Sequence, residues 1–331
     1  MTSTEIDRSP RERKFSGRAI LRDAGIGLAL LVLIIIFASA SPHFLSPGNI
    51  SNILTQVTIN LILAIGMTFV ILIGGIDLSV GSVMALCAVV AGTVLNTPGL
   101  DLTSAILLAT LTATGVGLVC GLLNGFISAF WGLPSFIVTL GMLNIARGAA
   151  LQFTDARTIY SFPSPFNAFG SQMIWGVPVV FLVALALVGV AWFILTRTVF
   201  GRVLYGIGNN EEAMRLSGHN IFNYKLAAFA IAGVAVGIAS MIYMARLNIA
   251  SPIIGIGFEL NAIAAVIIGG TSLNGGRGSV IGTLLGAFII GVLANGLILI
   301  GLSDFVRQMI TGFVIILAVI LDRYREIFTK A

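Results

Sequence analysis

The sequence predicts an all-α polytopic membrane protein of about ten transmembrane helices, and three features carry that reading. Of its 331 residues, 57% are hydrophobic and only 9% charged, against roughly 25% charged in soluble domains. Mean hydropathy is +1.06. Apolar runs of roughly 20 residues, enough to cross a hydrocarbon core about 30 Å thick, recur along the whole chain. The runs are continuously apolar and do not alternate, which excludes a β-barrel. Cys87 and Cys120 lie inside such runs and read as small buried hydrophobes, and no Cys/His spacing suggests a metal. The net charge of +5 is a topology signal and not a sign of nucleic-acid binding.

In order, the apolar segments fall near 24–41, 54–73, 79–96, 103–128, 134–153, 174–195, 225–246, 260–270, 279–300 and 305–321. The first follows a basic tail, 1–23, and with Ala38-Ser39-Ala40 imitates a secretory signal. Its leader is unusually long and an even span count needs it, so it reads as a retained helix. The eighth is too short to cross as a straight helix, so it is either broken or extended at its start. Between the fifth and sixth, 154–173 holds two prolines and scattered aromatics. It reads either as a structured surface loop or as an ordinary connector.

Ten spans place both termini on one side. With that side cytoplasmic, the inner segments hold Arg8, Arg11, Arg13, Lys14, Arg18 and Arg22 at the start and Arg277 near the end of the chain. They also hold Arg197, Arg202, Arg215 and Lys225 around the one long interior polar loop, and Arg323, Arg325 and Lys330 in the last tail. These are fourteen of the 18 basic residues, a decisive positive-inside bias. The membrane domain is therefore 24–321, its loop 197–224 is cytoplasmic, and so is the tail 322–331.

Glycines recur four apart at Gly117, Gly121 and Gly125, at Gly233 and Gly237, and at Gly278, Gly282 and Gly286. That spacing lines one helix face and predicts close backbone packing. Two stretches echo each other, Ile73-Gly-Gly-Ile-Asp-Leu-Ser-Val-Gly-Ser-Val and Ile268-Gly-Gly-Thr-Ser-Leu-Asn-Gly-Gly-Arg-Gly-Ser-Val. Each joins the end of one span to the start of the next through Gly74 and Gly75, or through Gly269, Gly270, Gly275 and Gly276. Asp77 or Ser79 is placed to cap the first following helix, and Ser272, Asn274 or Ser279 the second. The echo suggests an internal duplication, as in many transporters. The second stretch is not a P-loop, because Gly276 stands where a phosphate-binding lysine is required.

Polar groups in or beside the spans are few: Asp77, Arg147, Arg246, Glu259, Asn60, Asn124, Asn144, Asn261 and Asn295. Asp77, Arg246 and Glu259 fall near span ends. Arg147 is deeper and is expected to face a cavity or a carboxylate. The amides suit either interhelical hydrogen bonds or contact with an uncharged polyol, and Asn60, Asn124, Asn144 and Asn295 are the candidate pathway residues. An ion-coupled transporter using Asp77 or Glu259 is the alternative of a different class. An enzyme is excluded for want of a constellation, since His43 and His219 lie in loops without partners.

The run GGIDLSVGS from Gly74 to Ser82, the loop GNNEEAMRLSGHN from Gly208 to Asn220, and GFELNAIAAVIIGGTSLNGGRGSVIGTLLGA from Gly257 to Ala287 closely resemble the membrane permease of bacterial ATP-binding-cassette (ABC) importers for ribose and related monosaccharides. The resemblance covers nearly the whole chain. It implies an inner-membrane permease of about ten helices with no catalytic residues or cofactor of its own. It implies a second permease subunit, identical or a sister chain, and a cytoplasmic ATPase holding ATP and Mg. A periplasmic sugar-binding protein would deliver the substrate, and the nearer alternative within the class is a permease for amino acids or nucleosides. It also implies a coupling helix that docks into the ATPase, often with an E-A-A-x-x-x-G pattern. Glu212, Ala213 and Gly218 keep that spacing, and Met214 replaces the second alanine. The residues fit a short helix: Asn209 and Asn210 as starters, Glu211 and Glu212 in a first turn favoured by the dipole, then Arg215, Leu216 and Ser217, with Gly218 as terminator.

Overall fold

Each of the ten apolar segments coincides with a helix. The computed structural model describes residues 17–330, with side-chain surroundings for 24–320, so the basic tail 1–23 and the tail 322–331 lie outside the residues whose side chains are described. The chain runs α1 (Gly17–Ala40), α2 (Pro47–Leu72), α3 (Val80–Leu95), α4 (Leu102–Phe130) and α5 (Ser135–Phe153). There follow β1 (Ile159–Tyr160), α6 (Ser164–Ser171), β2 (Met173–Ile174), β3 (Val177–Pro178) and α7 (Val179–Arg197). The remainder is α8 (Val199–Asn209), α9 (Glu211–Leu216), α10 (Ile221–Leu247), β4 (Ile249–Ala250), α11 (Phe258–Ile268), α12 (Val280–Leu299) and α13 (Asp304–Lys330). Among the described residues six of these, α2, α4, α5, α7, α10 and α12, are long and apolar enough to cross a membrane.

Side-chain caps set where several helices begin. Ser46, Asp101, Asn220 and Ser279 accept the backbone N–H three residues on, at 3.3, 3.0, 3.4 and 3.0 Å, satisfying donors that a helix start leaves open. The Ser104 amide and hydroxyl beside Asp101 hold its carboxyl below the usual carboxylate range.

The centre of the bundle is α2, whose most apolar window is 78% buried. Leu61, Ile62, Leu63, Met67, Phe69, Ile71 and Leu72 are all inaccessible or nearly so. A helix apolar on every side needs protein on every side, and α7, α10, α11 and α12 supply it. The predicted glycine faces make the tightest contacts. A Cβ built on Gly117 would meet the Gly233 carbonyl, one on Gly121 the Phe229 carbonyl, and one on Gly237 that of Ala113. These residues bring α4 and α10 backbone to backbone. Gly282 and Gly286 do the same for α12 against Gly269 and Ala265 of α11.

Three expectations are refined. The eighth segment begins at Phe258 and remains an 11-residue helix, about 16 Å long at 1.5 Å per residue, roughly half a hydrocarbon core. The long polar loop is not continuous, because Val199–Asn209 forms α8. Gly201, Val203, Leu204 and Ile207 fall on one face of α8 and are buried, while Arg202 points outward. The 154–173 segment is structured: β1 pairs with β4, Phe162 and Phe166 are buried with their ring centroids 6.0 Å apart, and Asn248 Oδ1 accepts from Phe162 N (2.8 Å) and Asn167 Nδ2 (2.9 Å). Cys87 and Cys120 are buried free thiols.

The α4–α10 contact yields a direct test. Gly233→Val places a side chain against the Gly117 carbonyl and is expected to destabilise by about 1–3 kcal/mol, read as a lower melting temperature in detergent. Gly115→Ala, with open space around its Cβ position, should melt with the wild type.

Candidate functional site

The short helix α9 is defined by its own ends. Asn210, extended at φ −161°, accepts from Ala213 N through its side chain at 2.9 Å. Glu211 and Glu212 occupy the first turn. Arg215 pairs with both, at 3.4 and 3.3 Å, and Lys225 of α10 reaches Glu211 at 2.7 Å. At the other end Ser217 N and Oγ both donate to Ala213 O, and Gly218 turns the chain away at φ +84°. None of the six residues is buried, and Leu216 is 80% exposed. Met214 faces inward, its thioether filling the space over Gly206 of α8. The departure from the alanine pattern thus fastens α9 to α8.

Asn209 is corrected. It does not start α9 but ends α8, because its side chain is engaged elsewhere: Nδ2 donates to Tyr205 O at 2.8 Å and to Gly276 O at 3.1 Å. That contact opens a junction of three backbones. Gly276 N donates to Leu72 O at 2.9 Å, and Tyr205 Oη donates to Gly278 O at 3.1 Å. A Cβ on Gly208 would meet Leu72 O and Gly276 N, and one on Gly275 would meet Gly74 N. Gly74, Gly270, Gly275 and Gly276 all have φ between 72° and 81°, a region open to glycine at little steric cost. The two echoing motifs therefore touch each other and the end of α8. Sequence reading singled out both motifs and the loop, and missed Tyr205 and the contact among them.

The first motif is also anchored sideways. Ile76 N and Leu78 N donate to Ser135 Oγ (2.8 Å) and Thr139 Oγ1 (3.1 Å) of α5. Asp77 Oδ1 accepts from Ser79 N (2.8 Å) and Ser79 Oγ (2.6 Å). Asp77 thus locks the turn, while Ser79 occupies the cap position of α3 without a side-chain cap bond. Gly75 lies close against Val70 and Ser135, and Gly269 against Gly282.

The four candidate pathway amides do not form one site. Asn124 donates to Ser79 Oγ at 3.0 Å. Asn144 is exposed and bonds back to Leu140 O at 3.1 Å. Asn295 and Asn49 exchange two amide bonds of 3.0 Å. Asn60 borders a cavity of about 350 Å³, together with Gln56, Tyr243, Arg246, Phe258 and Asn261. A second cavity of about 500 Å³ adjoins it and shares Gln56, Phe258, Asn261, Ile290 and Ala294. Both lie by the starts of α2 and α11 and the latter half of α12, the first also by the end of α10 and the second by the start of α13, away from the glycine junction. Gln56 and Asn60 stand four apart on α2, a spacing that was available in the sequence.

Arg147 meets the expected carboxylate, Glu259, at electrostatic range, and its hydrogen bonds go to the carbonyls of Pro252 and Ile254, which close the loop before α11. Arg246 donates to Thr55 O at 3.5 Å, and Glu259 accepts from Gly257 N at 3.1 Å at the start of its own helix.

The chain resembles known import permeases in sequence over nearly its full length. The chain is 40% identical to the ribose import permease protein of Bacillus subtilis, over 98% of this chain and 100% of that one. It is 36% identical to the D-allose transport system permease protein of Escherichia coli K12, over 97% and 98% of the two chains. It is also 36% identical to the galactose/methyl galactoside import permease protein of the same strain, over 91% and 94%. No solved structure matches. The family profile described as branched-chain amino acid transport system / permease component matches residues 49–319, and the chain belongs to that family of multi-pass membrane permeases.

Proposed function

We propose that this chain is the membrane-spanning permease subunit of an ABC importer that carries a monosaccharide, ribose or a related sugar, across the inner membrane. Near-full-length likeness to ribose, allose and galactose permeases supports the substrate class. The observation that carries the mechanism is the exposed, end-capped helix α9, joined through Met214 to α8 and through Asn209 to the glycine junction. All ten apolar helices cross, singly or as half-helices within the protein, and both termini are cytoplasmic. Two permease subunits, identical or sister chains, enclose the passage. ATP and Mg sit on a separate cytoplasmic ATPase, and a periplasmic sugar-binding protein supplies the substrate.

The chain performs no covalent step. Closure of the ATPase pair displaces α9, whose mixed charged face, Glu211, Glu212 and Arg215, meets the partner with Leu216 as the apolar contact. The displacement reaches Leu72, Gly74 and Gly276 through backbone contacts and so acts on α2, α3, α11 and α12 together. Switching a two-state bundle from 1:99 to 99:1 takes about 5.5 kcal/mol of differential binding, within the range of a nucleotide-driven dimer.

Co-purification in mild detergent tests the docking role. Wild type is expected to retain its native ATPase, and Glu212→Arg with Gly218→Arg to lose it while staying monodisperse. Retention by the variant contradicts the assignment. Ion coupling is tested separately by Asp77→Asn, which keeps the Oδ1 acceptor used by Ser79. ATP-driven uptake is expected to stay within about twofold of wild type, allowing for one weakened hydrogen bond. Uptake that is lost with the fold intact points instead to a carboxylate-coupled ion.

A further inference from the structure

The cavity pair described above has a chemistry that the permease assignment does not specify. The first cavity, about 350 Å³, has the size of a small-molecule pocket. Its polar groups are three amides from two helices, Gln56 and Asn60 on α2 and Asn261 on α11, with the Tyr243 hydroxyl and the Arg246 guanidinium of α10. Each amide offers both donors and an acceptor, as a pair of neighbouring sugar hydroxyls does. Asn60 Oδ1 is buried with no hydrogen-bond partner among the described residues, and a buried acceptor left unmade carries a free-energy penalty. Tyr243 and Phe258 border the same cavity with ring centroids 6.4 Å apart, giving apolar faces for ring carbons.

Charge narrows the ligand further. Among the described residues no aspartate or glutamate lines either cavity, so none of them balances an ammonium group, which disfavours an amino acid. The two bordering cations have other partners: Arg246 donates to Thr55 O, and Arg307 is paired with Asp304 at 3.1 Å. Arg307 is thus paired with a carboxylate, whereas Arg246 meets only a carbonyl and brings its charge and further N–H donors to the cavity wall. Amides, a guanidinium and aromatic faces together suit a sugar, and a sugar acid is the competing ligand that the test below separates.

We propose that this cavity is a neutral-sugar subsite in the half of the passage away from the ATPase-docking helix, with Gln56, Asn60 and Asn261 bonding the hydroxyls over Tyr243 and Phe258. The inference rests on the monosaccharide-permease reading and names the site at which that reading is realised. The adjoining 500 Å³ cavity, lined by Ile256 and Gly257 of the preceding loop, connects the subsite to that end of the bundle. The sugar arrives there from the binding protein and leaves when α9 drives the junction at the other end.

The test uses the permease reconstituted in proteoliposomes with its native ATPase and sugar-binding protein, and radiolabelled ribose, allose and galactose as probes. Asn60→Leu and Asn261→Leu are each expected to lower uptake of the best sugar about tenfold, the loss of one to two buried hydrogen bonds, with ATPase co-purification unchanged. Asn60→Ser should alter the relative uptake of the three sugars, which a merely structural role would not do. Ala294→Cys, in a background where Cys87 and Cys120 are alanine, should react with a charged methanethiosulfonate and be protected by loaded binding protein with ATP. Wild-type uptake with both leucine variants unaffected, an unprotected cysteine, or preference for a sugar acid over neutral sugars overturns the subsite alone. Absence of ATP-driven uptake of any of the three sugars by the wild type overturns the underlying permease reading.

Discussion

The structure depends on one constraint: inside a bilayer, backbone polar groups must find partners within the protein. Helices meet it automatically. The broken segments do not, and the glycine junction is where three of them meet it together. Leu72 O, Gly276 N and Gly276 O are all engaged there, the first two with each other and the third by Asn209. Side chains larger than hydrogen at Gly208, Gly275 or Gly276 would separate those backbones. The same constraint explains why Ser135 and Thr139 bond the amides of the 76–78 turn. Satisfying the backbone and linking the helices are here one arrangement.

That arrangement divides the molecule into two ends with different chemistry. At one end, a short charged helix, exposed except where Met214 packs inward, stands on a support of α8, α10 and the junction. At the other, a cavity lined by amides and aromatic rings lies among α2, α10, α11 and α12. The two are bridged by α2, the most enclosed of the six long spans, and by α12, each with one end near the junction and the other near the cavity. Close glycine packing between α11 and α12 and between α4 and α10 makes these pairs move as units, since packed interfaces have discrete arrangements and deform little between them.

Much of this was legible in the sequence, for physical reasons that differ by element. Apolar length located ten helical segments, six of them long enough to cross a membrane among the described residues, because lipid leaves few alternatives. Glycines at four-residue spacing located the α4–α10 and α11–α12 contacts because only close packing uses them that way. Asn210 and Gly218 were readable as the limits of α9 because capping is local. The amphipathic α8 was obscured by its polar neighbours, although Val203, Leu204 and Ile207 carry the helical period. Asn209 was misread because its partner, Gly276, is distant in sequence. The amides resisted assignment for the same reason. Asn124 and Asn295 satisfy protein groups, whereas Asn60 faces a cavity, and only the three-dimensional neighbours distinguish them.

The central claim is that motion of the docking helix reaches the spans through the glycine junction. The most direct measurement is the number of sugars imported per ATP hydrolysed in the reconstituted complex, compared between Gly276→Ala and Gly301→Ala. Both glycines have positive φ, but only Gly276 lies against Asn209, and Gly301 has open space. The account predicts that Gly276→Ala still docks and hydrolyses ATP while importing several-fold less sugar per ATP, and that Gly301→Ala stays coupled. Equal coupling in the two variants would contradict it.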